Sequence, residues 1–218
     1  ALDQVRNTVA YGKYNVKLAM THCGITGGPD GGSHQSVEDL AIMRAVPGIR
    51  IFCPCDTLET QKAVKLAAEL EGPVYIRLSR MATPEYEEHG FRLGGSQVMR
   101  EGRDAVIFTC GTMVSQSLEA AEILQKEGIG LSVVNLYSLK PVDEERILAY
   151  AVQCKNVITV EEHSIYGGVG DAVSCVLEEY GSYPHKRIGI VDRFGTSAEP
   201  EVIVREYGLD GEGIAAQI

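Results

Sequence analysis

The fold is decided by residues 21–35, which read THCGITGGPDGGSHQ. This stretch contains five glycines, one proline, two histidines and one aspartate, and it lies between an apolar run, Val16–Met20, and a helical pattern, Val37–Ala45. Glycine allows positive φ angles and lets other groups approach the backbone closely. A strand, a glycine-rich loop and a helix in this order predict a site beyond the carboxyl ends of the strands of an open α/β sheet.

Three polar side chains of this loop, His22, Asp30 and His34, are the first candidates for a site. The residues alone leave three interpretations open: a surface turn whose histidines bond to backbone carbonyls, a metal site, or a site for an anionic or polyhydroxylated small molecule. No pair of histidines or cysteines here has a compact metal-ligand spacing, which disfavours the metal site.

The composition of the chain excludes several classes of protein. Its 218 residues are enough for one large or two small domains, and the mean hydropathy of −0.03 is that of a globular protein. A net charge of −10 without a long run of positive residues disfavours nucleic acid or an anionic membrane as a partner. No apolar stretch approaches the ~20 residues of a membrane span, and no secretory signal opens the chain.

The cysteines mostly lie in apolar runs, and the sequence predicts buried thiols in a reducing cytoplasm. They are Cys23, Cys53, Cys55, Cys110, Cys154 and Cys175.

Alternating strand and helix patterns predict a parallel sheet with right-handed crossovers. The first series consists of strand Val16–Met20, helix Ser36–Ala45, strand Ile49–Cys53, helix Leu58–Leu70 and strand Val74–Leu78. Ser33 or Ser36 is expected to cap the first of these helices, and Asp56 or Thr57 the second. Before them, Ala1–Tyr14 has apolar residues at helical spacing and is read as the end of a helix that continues upstream.

A second series follows a polar, breaker-rich stretch. Its strands are Ala105–Cys110, Leu131–Asn135, Val157–Val160 and Arg187–Val191, and its helices are Met113–Gln125, Glu144–Val152, Asp171–Tyr180 and Pro200–Tyr207. The expected fold class is α/β, with two three-layer α/β/α domains and largely parallel sheets. The expected domains are residues 1–82 and 96–218, joined by a linker at 83–95.

Residues 166–170, YGGVG, follow a predicted strand and resemble a nucleotide-binding turn only superficially. They do not match the G-x-G-x-x-G pattern, and no acidic residue closes a following strand at the right place. A nucleotide site here is therefore disfavoured.

Five blocks of sequence, in register, carry a resemblance to a known family. They are THCGIT at 21–26, DGGSHQSVED at 30–39, MRAVP at 43–47, PCD at 54–56 and IRLSR at 76–80. Together they resemble transketolase, and more closely the C-terminal section or subunit of split transketolases. The rest of the chain is similar to that family's C-terminal domain. One departure is that Gly28-Pro29-Asp30 stands where the family commonly has Gly-Glu-Asp.

The resemblance implies an enzyme that transfers a two-carbon ketol unit between sugar phosphates, as in the pentose phosphate pathway, with thiamine diphosphate and Mg²⁺ or Ca²⁺. Residues 1–82 would be the C-terminal part of a pyrimidine-binding domain. The family's activating glutamate and its cofactor-binding residues are expected upstream of Ala1. A separate N-terminal section would hold the diphosphate and its metal, so the chain is expected to be inert alone and to work as a homodimer with that partner.

The same resemblance implies roles for individual residues. His22 and Arg80 should face the substrate phosphate, because a guanidinium fork and a protonated imidazole both suit that group. Asp30 should accept a hydrogen bond from a sugar hydroxyl. His34 should contact the donor's terminal hydroxyl or carbonyl oxygen and act catalytically by moving a proton. Glu162 and His163 are interpreted as structural polar groups at a domain interface rather than as a catalytic pair.

Three alternatives stay open. Deoxyxylulose-phosphate synthase and the β-subunit of 2-oxo acid dehydrogenases share the domain arrangement, although residues 33–35 and 78–80 fit transketolase better. The third alternative is an assembly module that only dimerises and has no catalytic role.

Overall fold

Two β-sheets flanked by helices make up the computed structural model, which describes residues 1–87 and 90–218. The strands are β1 (Lys17–Met20), β2 (Arg50–Phe52), β3 (Val74–Arg77), β4 (Gln97–Arg100), β5 (Ala105–Thr109), β6 (Leu131–Asn135), β7 (Ser138–Lys140), β8 (Val157–Ser164) and β9 (His185–Ile190). The α-helices are α1 (Leu2–Gln4), α2 (Asp39–Ala45), α3 (Thr57–Glu69), α4 (Met113–Lys126), α5 (Glu144–Cys154), α6 (Val169–Tyr180), α7 (Pro200–Glu206) and α8 (Gly211–Gln217). A π-helical stretch, Val5–Ala10, continues α1, and Gly28–Asp30 form a 3₁₀ turn. The predicted α/β class with largely parallel sheets is confirmed.

The first sheet has the order β1-β3-β2-β7, and its first three strands are parallel. Met20 is paired with Arg77, so the chain leaves β1 and β3 side by side at the carboxyl edge of the sheet. This edge carries the glycine-rich loop, residues 21–38, which we call the site loop. The parallel pairing thus brings the site loop next to the residues that follow β3.

The fourth strand of this sheet, β7, comes from the second half of the chain and runs antiparallel to β2. The Lys140 side chain at its end donates hydrogen bonds to the carbonyls of Arg44 and Val46, both at 2.7 Å, where α2 ends. Strand β7 was not predicted, because its three residues, SLK, are too few to show an alternation of polar and apolar side chains. Their conformation depends on the edge of β2, to which they pair.

The second sheet has the order β4-β6-β5-β8-β9 and is parallel except for β4. Every residue of β5 and of β6 is buried, as expected for strands covered by helices on both faces. Strand β4 was also missed, since its four residues are only half-buried and carry no strong apolar pattern. Within the described residues, none of the helices has the length and hydrophobicity needed to cross a bilayer.

Helix α2 begins at Asp39, three residues later than predicted, and no side chain caps it. The expected caps at Ser33 and Ser36 are therefore wrong. The Ser36 carbonyl instead accepts a hydrogen bond from the Gly24 backbone N–H at 2.7 Å, and the two residues form an isolated β-bridge. This pairing keeps Ser36 out of the helix. The expected cap of α3 is confirmed at Asp56, which accepts from the Glu59 backbone at 2.7 Å.

Five of the six cysteines are buried as expected, whereas Cys175 is exposed on α6. The predicted linker at 83–95 is irregular where it is described, and Glu88 and His89 lie outside the described residues.

A buried ion pair links α2 to the first sheet. Arg77 Nε and Nη2 donate to the two carboxylate oxygens of Asp39 at 2.8 and 3.1 Å, and the Tyr75 hydroxyl donates to the same carboxylate at 2.7 Å. Burial alone would raise the pKa of Asp39, but the charge and hydrogen bonds of Arg77 and the Tyr75 hydroxyl outweigh it and lower that pKa. The side chains of Arg77 and Asp39 are each less than a tenth exposed, so each buried charge is stabilised mainly by the other.

We predict that Asp39→Asn lowers the free energy of unfolding by about 3–5 kcal/mol, because it leaves the Arg77 charge buried without a partner. Asp30→Asn is the matched control, since Asp30 pairs with Arg80 at 3.2 Å with both side chains about half exposed. It should cost less than about 1 kcal/mol. The pKa of Asp39 is lowered in the fold, so its stabilisation should be lost as the pH falls through that lowered pKa. Urea denaturation at several pH values measures both effects, and equal losses in the two variants would contradict the assignment.

Candidate functional site

The four predicted site residues, His22, Asp30, His34 and Arg80, are all exposed. The first three lie on the site loop, and Arg80 follows β3. The two segments are joined directly, because the Cys23 backbone donates to the Leu78 carbonyl at 3.3 Å. The residues between the polar ones, from Cys23 to Gly28, are buried. The loop therefore has an apolar buried stem and presents its polar side chains to solvent.

Asp30 and Arg80 are brought into contact. Arg80 Nη1 donates to Asp30 Oδ2 at 3.2 Å and lies 3.4 Å from the Gly27 carbonyl oxygen. Gly27 precedes the 3₁₀ turn that ends at Asp30. An exposed guanidinium and a carboxylate at one point can take a ligand that carries both an anionic group and hydroxyl groups.

The two histidines each bond to a neighbouring hydroxyl and not to the Asp30–Arg80 pair. His22 Nδ1 lies 2.8 Å from Thr21 Oγ1, and His34 Nδ1 lies 3.0 Å from Ser33 Oγ. Within the described part of the chain, Nε2 of neither ring has a hydrogen-bond partner. Both rings thus have one nitrogen free to meet a ligand.

His22 has a φ of 64°, in the left-handed region that residues other than glycine rarely occupy. Such a conformation costs of the order of 1 kcal/mol and persists only where surrounding contacts impose it. The backbone contact of the next residue, Cys23, with Leu78 is one such constraint. The sequence carried no signal for this angle.

Glu162, near the end of β8, bonds to the backbone of the site loop, a role that its sequence position did not predict. Its Oε1 accepts hydrogen bonds from the backbones of Ile25 and Thr26, both at 2.8 Å. Its Oε2 accepts from Thr112 Oγ1 at 2.5 Å. These contacts agree with the interpretation of Glu162 as a structural polar group at a domain interface. The only signal in the sequence was an acidic pair at the end of an apolar strand.

A second segment of the C-terminal half packs on the other side of the site loop. Gln35 Nε2 donates to the Thr196 carbonyl at 2.9 Å. A Cβ on Gly195 would overlap the Gln35 side chain, so a larger residue at position 195 would require Gln35 to move.

Two further titratable groups lie beside Glu162. Glu161 accepts from the backbones of Val169 and Gly170 at 2.7 and 3.0 Å, at the start of α6, and burial raises its pKa to about 7. Burial lowers the pKa of His163 to about 4, so its ring is neutral near pH 7. His163 Nδ1 lies 2.6 Å from the Ser164 carbonyl oxygen and therefore carries the proton, which leaves Nε2 to accept from the Ala41 backbone at 3.4 Å. His163 is thus a packing group, in agreement with its interpretation from sequence.

A groove of about 560 Å³ lies beside the same sheet edge. Its polar lining includes Thr21, Asp56, Lys65 and Ser79. No group of three or more His, Cys, Asp or Glu side chains in residues 1–87 and 90–218 is arranged to hold a metal ion.

Two family profiles match the chain. The transketolase pyrimidine binding domain matches residues 1–85, and the transketolase C-terminal domain matches residues 94–214. Between them they cover nearly the whole sequence.

Individual proteins are similar over the full chain. A Methanocaldococcus jannaschii protein named as a transketolase C-terminal section is 43% identical over 224 residues, which is 100% of this chain and 70% of that protein. A 1-deoxy-D-xylulose-5-phosphate synthase of Caldanaerobacter subterraneus subsp. tengcongensis is 41% identical over 222 residues, 100% of this chain and 36% of that protein. Transketolase of Homo sapiens is 36% identical over 225 residues, again 100% of this chain and 36% of that protein.

Two solved structures are similar in fold. A split-gene transketolase described as an inactive β4 tetramer superimposes with a TM-score of 0.92 at 43% identity, over 99% of this chain and 70% of that chain. Transketolase of Pichia stipitis in complex with sedoheptulose 7-phosphate superimposes with a TM-score of 0.78 at 27% identity, over 95% of this chain and 30% of that chain. The present chain therefore spans only part of each of these proteins.

We predict that His22→Val lowers the free energy of unfolding by about 1–2 kcal/mol, because a β-branched residue is strained at positive φ. His22→Asn should change it by less than about 0.5 kcal/mol, because asparagine tolerates this region. His34→Val is the control: His34 is an exposed residue of the same loop that is not among those with positive φ. Chemical denaturation measures the three values, and equal effects of valine at both positions would rule out backbone strain at His22.

We also predict that Glu161 makes the protein less stable as the pH rises. Its pKa lies near 7 in the fold against an ordinary value of 4.5, so between these values the folded chain holds a proton that the unfolded chain has lost. The free energy of unfolding should therefore fall across this window relative to that of Glu161→Gln, which cannot titrate. Burial lowers the pKa of His163 and of His185 to about 4, so both rings stay neutral in the folded state of either protein across this range, although His163 Nδ1 lies 3.6 Å from Glu161 Oε2. Their contributions therefore cancel in the difference. Urea titrations from pH 5 to pH 8 measure it, and a difference that does not vary with pH would contradict the raised pKa.

Proposed function

Because the chain belongs to the transketolase family, across both the pyrimidine-binding and the C-terminal domain, we propose that it supplies the sugar-phosphate recognition part of an enzyme that transfers a two-carbon ketol unit. The observation that carries this proposal is the exposed contact of Arg80 with Asp30 at 3.2 Å, on one sheet edge with His22 and His34. A guanidinium for phosphate and a carboxylate for hydroxyls are the two groups that a sugar phosphate needs.

In this proposal each side chain has one task. Arg80 and His22 bind the substrate phosphate, and Asp30 accepts a hydrogen bond from a sugar hydroxyl. His34 meets the terminal hydroxyl or carbonyl oxygen of the donor through Nε2 and moves a proton there. The free Nε2 atoms of both histidines support these roles, because each is available to a ligand.

The family depends on thiamine diphosphate, which supplies the electron sink for cleaving the carbon–carbon bond of the ketose. The described residues do not fit a diphosphate–metal site, because they contain no group of three or more potential metal-binding side chains. We therefore propose that an N-terminal partner section holds the diphosphate and Mg²⁺ or Ca²⁺, and that this chain alone is inactive. A similar split-gene transketolase, described as an inactive β4 tetramer, supports the need for a partner.

The remaining parts of the assignment stay predictions from the family resemblance. They are the domain ranges 1–82 and 96–218 with a linker at 83–95, the activating glutamate upstream of Ala1, homodimerisation, a cytoplasmic location and a place in the pentose phosphate pathway.

A second candidate is 1-deoxy-D-xylulose-5-phosphate synthesis, which the 41% identity to such a synthase favours. The two reactions differ in the donor, since the synthase uses pyruvate where a transketolase uses a ketose phosphate. A donor comparison therefore separates them.

The test is reconstitution of the chain with the N-terminal section and any upstream segment that its gene encodes, in the presence of thiamine diphosphate and Mg²⁺. We expect ketol transfer from a ketose phosphate to an aldose phosphate by the complete assembly, no transfer by the chain alone, and no turnover of pyruvate. Turnover of pyruvate alone would replace the transketolase assignment with the synthase. No turnover of either donor by a folded, cofactor-loaded assembly would support the dimerisation module instead.

Arg80→Ala should raise KM for a ketose phosphate by about 10- to 100-fold, as expected for loss of a charge-assisted hydrogen bond to phosphate. It should raise KM much less for the same ketose without its phosphate. Arg103→Ala is the control, because Arg103 is an exposed arginine just before β5, at the amino end of that strand, whereas Arg80 follows the carboxyl end of β3. Steady-state kinetics with both donors measure these changes in KM. An equal effect of Arg80→Ala on the two donors would contradict the assignment of Arg80 to the phosphate site.

A further inference from the structure

The buried carboxylate of Glu162 lies between the site loop and α4, and it contacts both. Glu162 is 3% exposed, and its carboxylate accepts hydrogen bonds from three protein donors. Ile25 and Thr26 donate to one oxygen from the site loop, and Thr112 donates to the other from the start of α4. Glu162 thus joins a loop of the first domain to a helix of the second.

The backbone N–H groups of Ile25 and Thr26 donate to Glu162 and have no other hydrogen-bond partner among the described residues. Ile25 and Thr26 are both fully buried, so these donors would lose their hydration without gaining a bond if the carboxylate were absent. Gly24 before them has a φ of +68°, and a Cβ there would overlap the Glu162 carboxylate. The loop is therefore shaped around this side chain, and hydrogen bonds to a charged acceptor are stronger than those to a neutral one.

Further contacts connect Thr26 to Arg80, the predicted phosphate-binding residue. Thr26 Oγ1 lies 3.0 Å from Ser79 Oγ, and Ser79 is adjacent to Arg80. Arg80 in turn contacts Gly27, the residue after Thr26, and Asp30. A shift of the backbone at residues 25 and 26 would therefore move both the loop and the arginine.

Glu162 is itself held in place by the buried ion pair of the first sheet. Arg77 Nη2 donates to the Glu162 carbonyl oxygen at 3.1 Å, while its other contacts bind Asp39. The backbone of Glu162 is therefore fixed by Arg77, and its carboxylate extends from this fixed point to the site loop.

We propose that Glu162 is a positioning residue of the C-terminal domain, which holds residues 25–30 and Arg80 in the conformation that binds the sugar phosphate. It does not touch the substrate and acts through the loop. This inference rests on the proposed function. Without Glu162, only a fraction of the molecules would hold the competent loop, and substrate would have to select that fraction. KM therefore rises by the inverse of the fraction, while kcat at saturation is largely kept.

Glu161 offers a matched control on the same strand. It is equally buried, at 2% exposed, and its carboxylate also accepts from two backbone N–H groups, but these belong to α6 and not to the site loop. Replacing it also removes two backbone hydrogen bonds from a buried carboxylate, but both donors lie in the C-terminal domain. If Glu162 had only a structural role, its replacement and that of Glu161 should therefore change KM to a similar extent.

The first measurement needs no activity and uses the full chain. Amide hydrogen exchange at Ile25 and Thr26 should become at least about tenfold faster in Glu162→Ala, because the buried acceptor is gone. Glu162→Gln should restore part of the protection, since its amide oxygen still accepts a hydrogen bond. Glu161→Ala should speed exchange at Val169 and Gly170 and leave Ile25 and Thr26 unchanged. If Glu162→Ala does not fold, Glu162→Gln and Thr112→Val are compared instead.

The second measurement is KM and kcat in the assembly reconstituted with the N-terminal section. We expect Glu162→Ala to raise KM for the ketose phosphate by about tenfold with kcat changed less than about threefold, and Glu161→Ala to leave KM unchanged. Unchanged exchange at Ile25 and Thr26, or a fall in kcat with KM kept, would overturn the positioning role. If the unmodified assembly transfers no ketol unit, the proposed function fails. The exchange measurement then still decides whether Glu162 holds the loop.

Discussion

The buried guanidinium of Arg77 is the constraint on which the rest of the structure depends. A charge that is removed from water must be matched by fixed partners, and here they come from two distant parts of the chain. Asp39 supplies the counter-charge from the start of α2, and the Glu162 carbonyl accepts from the end of β8. Neither α2 nor β8 can move relative to the first sheet without breaking a hydrogen bond to this group. The site loop leads from β1 into α2 and bonds to Glu162 at residues 25 and 26, so Arg77 ties it down at two points through Asp39 and Glu162.

The boundary between the two family domains is therefore not a boundary of the site. The loop that carries His22, Asp30 and His34 belongs to the first domain, yet the backbone at its base bonds to Glu162 of the second. The C-terminal domain of this chain thus contributes directly to the conformation of the site loop. The contact of the Gln35 side chain with Gly195 and Thr196 provides a second part of that support.

The sequence predicted those features that depend on interactions between residues close together in the chain. Apolar periodicity gave the parallel strands and most helices, and Asp56 was identified as a cap because its side chain reaches a backbone N–H only three residues away. What could not be read depends on residues far apart in the chain. Ser36 is extended because Gly24 bonds to it, Ser138–Lys140 is a strand because β2 has a free edge, and Glu162 acts on residues 136 and 137 positions earlier. Sequence patterns of single elements carry no record of such partners.

The pairing of β7 with β2 has a consequence for the order in which the protein is made. Residues 1–87 contain three strands of the first sheet, but the fourth is not synthesised until Lys140 has been added. Until then the edge of β2 exposes unpaired backbone groups, which is the kind of surface that promotes association of nascent chains. On the ribosome, the first sheet thus stays incomplete until β7 of the second domain has emerged, and the two domains mature together rather than one after the other.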